Sequence, residues 1–338
     1  MSELMTTTYS MWRLFRNCRM ACKWRYIDEL VPLERDPNLA FGSVIHDCLE
    51  CWHGERDLAK VLDHIDRTYP NRAQDDHQQA DWHLVRAMMS AYAEHYPAEE
   101  FEVVALEKTF EGPIVNPATG ATSRSFILAG KVDGIVRQDG QYFLLEHKTA
   151  SQIDASYLER LWADLQIILY AWYLEQTLGI TVSGIIYNVL VKAKLRQGKG
   201  ETEAEFEARR AELIAKSKTG KSSAKRKLPE DDDTFQQRLQ EKYLEPGMFH
   251  REVLYISRDQ FEELRAELWE LSKAMLDARR RDTFYRNTSY CFQYGRPCAY
   301  FQLCRSGGNP NVIENHFQRI APHEELRDGA GEDAAPVF

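Results

Sequence analysis

Apolar residues recur every three or four positions in some stretches of the chain, and every second position or in short unbroken runs in others, which predicts the order of elements. A first amphipathic helix is expected from about Ser10 to Leu30, and a second begins near Phe41, with Ile45, Leu49 and Trp52 at helical spacing. Helical periodicity also covers 56–68 and 79–95. FEVVALEKTF at 101–110 has the composition of a strand. In GKVDGIVRQDGQYFLLEHKTA at 130–150, two apolar runs are joined by Asp139-Gly140, a strong signal for a two-residue hairpin. Ser156 then opens SYLERLWADLQIILYAWYLEQTLGI, whose length and repeat predict one buried helix ending at Gly179. ITVSGIIYNVLVK is strand-like, and HREVLYISRDQFEELRAELWELSKAMLDARRR adds a strand and a long helix. Strand, hairpin, helix and strand in that order describe an α/β chain: a mixed central β-sheet flanked by helices, with a crossover helix and a helical N-terminal region.

The hairpin carries charge where a sheet interior ordinarily carries none. If Gln138 faces Gln141, facing residue numbers always add to the same value, so Asp133 falls opposite Glu146 and Lys131 opposite Lys148, all on one face. Two bare carboxylates on Cβ atoms roughly 4.5–5.5 Å apart repel, and one is driven toward protonation. A divalent hard cation with oxygen ligands removes that repulsion, and Lys148 points into the same space. The alternative is a pair of solvated salt bridges on an exposed sheet face.

Length and composition narrow the class. A chain of 338 residues fits one large α/β domain with appendages. The longest apolar run, IILYAWYL at 167–174, is too short to cross a bilayer, and the first twenty residues lack the apolar core of a secretion signal, so a cytosolic protein is expected. Seven cysteines, an odd number, direct attention to metal ligation over disulfides. The net charge of −9 does not by itself indicate a nucleic-acid binder. The basic residues are nevertheless clustered: twelve Lys or Arg against five Glu lie between Lys192 and Lys227, including the acid-free KSKTGKSSAKRK at 216–227. Lys221, Lys225, Arg226 and Lys227 are the candidate phosphate contacts of that segment. A solvated, mobile insertion over about 192–233 is the other reading. From about Arg327 the chain is small and polar and is expected to be disordered.

Two spacings complete the constellation. Gly42 and His46 stand at Gly-x-x-x-His spacing, and Gln166 and Tyr170, four apart on the crossover helix, share a face. Singly, such a histidine is more often a packed residue and such a pair plain helix surface. Together with the VDG and EHK tripeptides, and in this order, they resemble the RecB-like branch of the PD-(D/E)xK nuclease superfamily from about Ser10 to Cys304. The resemblance implies a restriction-endonuclease-like core, one nuclease domain over 1–310 and a tail over 311–338. It also implies Mg²⁺ or Mn²⁺ held by His46, Asp133, Glu146 and the main-chain carbonyl of His147, whose side chain faces the other side of the strand. Gln166 and Tyr170 would position the DNA strand or the catalytic groups. These residue types support phosphodiester hydrolysis, with Lys148 stabilising the developing negative charge.

Cys291, Cys298 and Cys304 lie among aromatic residues near the C-terminal end. The stretch YSMWRLFRNCRMACKWRYIDELVP resembles the opening of RecB-like nucleases with an iron-sulfur cluster, such as the CRISPR-adaptation exonucleases, AddB and many phage-encoded relatives. In these, one N-terminal cysteine joins three C-terminal ones. Position matching favours Cys18, with Cys22 in reserve. Four thiolates suit a 4Fe-4S cluster or structural Zn²⁺, and the wide spacings together with the pattern of the family it resembles favour iron and sulfur. Cys48 and Cys51 are read as small apolar residues. The expected protein is a metal-dependent DNA exonuclease with a structural cluster, in phage, mobile-element or bacterial recombination, repair or end processing. Its partners would be DNA and a recombination protein, without a membrane. The alternatives are a structure- or sequence-specific endonuclease on the same core and a non-catalytic DNA-binding recombination partner.

Overall fold

A computed structural model of the protein describes residues 4–34, 36–293, 295–323 and 326. The chain opens with β1 (Met5–Thr7), α1 (Tyr9–Asn17), α2 (Arg19–Cys22), a π-helical turn at Lys23–Ile27 and β2 (Leu30–Pro32). Three helices follow, α3 (Pro37–Glu55), α4 (Leu58–Thr68) and α5 (Asp76–His95), and then the long strands β3 (Glu102–Val115) and β4 (Thr122–Gln138). Next come β5 (Gln141–Ala150), α6 (Ala155–Leu161), α7 (Leu165–Leu178) and β6 (Val182–Val191). After these lie α8 (Glu203–Lys216), α9 (Asp232–Tyr243), β7 (Phe249–Tyr255) and α10 (Arg258–Arg280). A C-terminal segment holds the short pair β8 (Phe292–Gln293) and β9 (Arg296–Pro297), then α11 (Phe301–Arg305), α12 (Pro310–His316) and β10 (Phe317–Arg319).

The main sheet runs β1-β4-β5-β6-β7, with β3 also on β4, and it is mixed: β1 is parallel to β4 and β5 to β6, while β3–β4, β4–β5 and β6–β7 are antiparallel. Helices flank it. One core joins the sheet to α1, α7 and α10, around Trp12, Phe126, Val132, Leu144 and Tyr187. A second joins α3, α4, α5 and α9 around Ile45, Leu49, Met88 and Tyr243. β3 covers one edge of β4 from Glu102↔Arg137 to Val115↔Thr122, so β5 and β1 must share the other edge. β5 takes its C-terminal half, as far as Gly134↔Leu145, and β1 takes Phe126 to Leu128. The sheet therefore forks where β5 leaves β4 to continue along β6.

The Asp139-Gly140 turn sets the expected register, with Gln138 paired to Gln141 and both turn residues at positive φ. Beyond Gly134 the expected facing fails. Lys131 does not oppose Lys148, because the strands have parted: Lys131 pairs with Thr109 in the ladder and its ammonium meets Glu107, while Lys148 aligns with Val189 of β6. Alternation breaks at the same level, since Val132 and Ile135, three apart, enter the same core. Glu107, one of the non-glycine residues with left-handed φ, lies opposite the break on β3.

Two other expectations, both of helix extent, are corrected. The helix expected from Ser10 to Leu30 is interrupted at Cys18, whose backbone is extended (φ −157°, ψ 108°). Tertiary bonds override helix propensity there: Asn287 donates its amide side chain to the Asn17 carbonyl at 2.7 Å and its N–H to Cys18 Sγ at 3.5 Å. The helix expected from Ser156 to Gly179 is two helices, because Asp164 caps α7 by accepting the N–H of Gln166 at 3.3 Å. The insertion at 192–233 holds α8, which starts in a Thr202/Glu205 capping box. Its flanks are tied by Glu230 N–H to the Gly198 carbonyl (2.8 Å) and Glu201 N–H to the Lys227 carbonyl (2.9 Å). At the other end β10 pairs with β2. The disorder expected from Arg327 onward falls outside the described residues.

Candidate active site

The fork creates the site. Where a regular hairpin would continue its ladder, the N–H of His147 meets a side chain: it donates to Asp133 Oδ2 at 2.7 Å. Across from it, α3 brings His46 Nδ1 to 3.3 Å from Asp133 Oδ1. Gly42 lies one turn earlier on α3, where a Cβ would stand 3.4 Å from Thr149 Oγ1 of β5. From the α7 side, Lys148 Nζ stands 2.6 Å from Glu146 Oε1 and 3.2 Å from Asp164 Oδ2. His46 and Lys148 are each about a third exposed, 33% and 31%, so the site is open to a ligand.

These neighbours set the charges. Burial would raise Asp133, but His46 and the His147 N–H hold its carboxyl well below the usual carboxylate range. Burial, reinforced by the Asp133 charge and only partly offset by Lys148, pushes Glu146 up to about 7. Burial would lower His46, and Asp133 more than reverses it, to about 9. Lys148 follows the same logic: Glu146 and Asp164 outweigh its burial and hold it above the ordinary lysine value. Burial lowers His147 well below an ordinary imidazole.

Each carboxylate thus carries a protein cation, His46 on Asp133 and Lys148 on Glu146. Among the described residues no three His, Cys, Asp or Glu side chains stand in metal-holding arrangement. The donor set itself fits a hard divalent cation: two carboxylates, one imidazole and a strand carbonyl. In a strand the carbonyl of a residue points to the same edge as its N–H, so the His147 carbonyl faces the fork.

Two acids at a strand fork, a lysine two residues past the second, and a histidine from the preceding helix occur in a chain whose residues 6–305 match the sequence model of the PD-(D/E)XK nuclease superfamily. The chain belongs to that superfamily. Superfamily membership makes it a nuclease fold whose members typically act with Mg²⁺ or Mn²⁺ on DNA, and no helix among the described residues is long and apolar enough to cross a membrane. No curated protein matches the chain. A solved structure titled "Crystal structure of SSO0001" is similar at 14% identity over 72% of this chain and 76% of its own. With a TM-score of 0.26, that likeness does not bear on the argument.

The remaining residues singled out by their resemblance to PD-(D/E)XK nucleases lie around this centre or apart from it. Gln166 sits half-buried in the first turn of α7, beside Asp164. Tyr170 is buried one turn on, edge-to-face with Phe110 at 4.8 Å. Gly130 makes room for both rings, since a Cβ there would lie 2.6 Å from Phe110 and 2.8 Å from Tyr170. Cys18, Cys298 and Cys304 belong to a core separate from the one that holds the sheet. Cys18 is buried with Tyr300, Leu303 and Phe317, against Cys298 and Cys304. Burial raises Cys298, and Cys18, Cys304 and Cys291 are close enough to add to the rise. The indole N–H of Trp24 donates to Cys304 Sγ at 3.4 Å. Cys22 belongs to the main core instead, its thiol directed at the Met11 carbonyl at 3.7 Å. Cys48 is buried in the α3–α5 core and Cys51 packs against it.

On the insertion, Lys221, Lys225 and Lys227 are exposed, whereas Arg226 is engaged by Glu203 at 3.1 Å and by the Glu201 carbonyl at 2.7 Å. If the segment contacts phosphates, neutralising the three lysines weakens DNA binding and flattens its salt dependence by up to about one unit of log–log slope per lost contact. An unchanged slope, measured by titration at several salt concentrations, assigns the segment to solvent.

Sequence reasoning missed several polar residues. Asp164 was taken as helix interior; its signal was an N-cap residue type just before the apolar run LQIILYAWYL. A buried network behind His147 was also missed. Asn188 Nδ2 stands 3.1 Å from His147 Nδ1 and donates to the Tyr92 hydroxyl at 3.0 Å, as does Arg251, which pairs with Glu99 at 2.6 Å. His53 of α3 stacks on His147 at 5.3 Å. These residues come from four elements and the segment between α5 and β3, which no local pattern connects.

Proposed function

We propose that the protein is a metal-dependent DNA exonuclease with a structural 4Fe-4S cluster on Cys18, Cys291, Cys298 and Cys304, serving phage, mobile-element or bacterial DNA recombination, repair or end processing. The observation that carries the nuclease reading is the pair Asp133 and Glu146 at the fork with Lys148 against the second acid. His46, Asp133, Glu146 and the His147 carbonyl would hold Mg²⁺ or Mn²⁺, which supplies positive charge at the scissile phosphate and eases deprotonation of the attacking water. Lys148 then offers its ammonium protons to the phosphate oxygens as negative charge builds on them. His147, kept neutral and fixed by Asn188 and His53, presents its backbone to the site. The packing of Cys18 in one core with Cys298 and Cys304, and the nearness of Cys291 to Cys298, support the four-thiolate site.

The test is digestion of linear and covalently closed DNA with and without Mn²⁺. An exonuclease consumes the linear form and spares the circle, an endonuclease cuts both, and a protein that binds either DNA without metal-dependent cleavage is a binding partner.

Metal binding is expected to release protons. Glu146, raised to about 7, and His46, raised to about 9, both ligate only after deprotonation, so Mn²⁺ affinity rises with pH between about 6 and 9. Calorimetry at pH 7 in two buffers of different ionisation heat should register about one to two protons released per metal. Affinity independent of pH across that interval removes these two residues from the ligand set.

A further inference from the structure

We propose that Asp164 is the positioning residue for Lys148, holding its ammonium at the reacting phosphate once Glu146 is engaged; this rests on the nuclease reading above. Lys148 ends a flexible four-carbon stem in a partly open site, so its placement has to be imposed by partners. It has two, Glu146 Oε1 at 2.6 Å and Asp164 Oδ2 at 3.2 Å. Glu146 cannot keep that contact unaltered when its oxygens serve a cation. Asp164 can, because its two oxygens divide the work: Oδ1 accepts the N–H of Gln166 and caps α7, while Oδ2 faces the lysine.

Asp164 is itself fixed with respect to β5. It heads α7, which is seated on the sheet by Tyr170 over Gly130 and by Tyr173 over Gly112, two places where a Cβ would lie under 3 Å from the ring. A carboxylate carried by a docked helix holds the lysine in register with β5, and the same contact draws the ammonium off Glu146 so that it does not compete with the cation. Among the described residues no sheet carboxylate other than Glu146 pairs with Lys148, and Asp164 lies 16 positions after the lysine in the chain.

Asn is as good an N-cap as Asp, so Asp164→Asn separates charge from capping. Single-turnover cleavage of linear duplex DNA is measured for wild type, D164N, K148A and D164N/K148A across a Mn²⁺ titration, together with DNA affinity and thermal midpoint. D164N is expected to cleave about tenfold more slowly and to need several-fold more Mn²⁺ for half-saturation, with DNA affinity within about twofold and the midpoint of wild type. In the K148A background the same change should have no further effect on rate. A D164N protein that cleaves at the wild-type rate overturns the inference, as does an equal loss with and without Lys148, or a loss that tracks a lowered midpoint. Wild-type protein that cleaves nothing with either metal overturns the nuclease reading and this inference with it; normal wild-type cleavage with an unaffected D164N overturns this inference alone.

Discussion

K148A is expected to lose metal-dependent cleavage by on the order of 10²–10³-fold or more while folding and DNA binding persist. Lys148 is the only lysine of the fork directed at the acid pair, because Lys131 is occupied by Glu107. Its charge is held by two carboxylates against burial, above the ordinary lysine value. Removal takes away a positive charge that matters most when negative charge accumulates on the phosphate, and leaves the buried supports of β5 untouched. D133A and E146A should also lose cleavage, but by a different route: calorimetric titration with Mn²⁺ should find weaker binding in both and near-normal binding in K148A. Turnover by K148A near the wild-type rate would remove the lysine from the chemistry. Unchanged Mn²⁺ affinity in both acid variants would remove the acids.

The hairpin register was legible because it depends on one turn: once Asp139-Gly140 fixes Gln138 against Gln141, counting gives every later pair. Counting fails where strands separate, and the separation has no local signal. It follows from β1, over a hundred residues earlier, taking the edge of β4 that β5 gives up. Lys131 was therefore misplaced, and Asp133 accepts the His147 N–H in place of a ladder pairing with Glu146. The interruption of the first helix was hidden for a similar reason, since Cys18 is pulled out of helical geometry by Asn287, 269 residues away. Asp164 is the opposite case. Its N-cap role was available from residue type alone, and was lost because a continuous apolar repeat outweighed one acidic residue.

C18S is expected to give protein that is colourless, protease-sensitive and inactive in proportion to its unfolding. Cys18 is buried against the C-terminal segment through Tyr300, Leu303 and Phe317, and it contacts Cys298 and Cys304. A cluster on these thiolates joins chain segments about 270 residues apart. For a covalent cross-link over a loop of that length, loop-entropy scaling gives roughly 5 kcal/mol, comparable to the whole stability of many domains. C48S and C51S, in the other core, should leave the colour and the activity in place. Limited proteolysis beside an absorption spectrum, on anaerobically purified protein, decides the matter. Stoichiometric zinc without iron would keep the four-cysteine site and end the iron-sulfur assignment. If C22S bleaches the protein and C18S does not, the N-terminal ligand is the cysteine whose thiol faces Met11.

The pairing of Phe317–Arg319 with Leu30–Pro32 has a consequence for biosynthesis. On the ribosome the hairpin with Asp133, Glu146 and Lys148 emerges long before the strand that closes over Leu30. Until residue 319 has been made, Leu30–Pro32 lacks its strand partner, and until Tyr300, Leu303 and Phe317 have been made the segment around Cys18 lacks the walls that bury it. A nascent or truncated chain thus carries every group of the acid–lysine centre without the frame that anchors α1 and β1 beside it. A chain ending before residue 317 would thus contain the whole acid–lysine sequence but lack the strand that pairs with Leu30–Pro32.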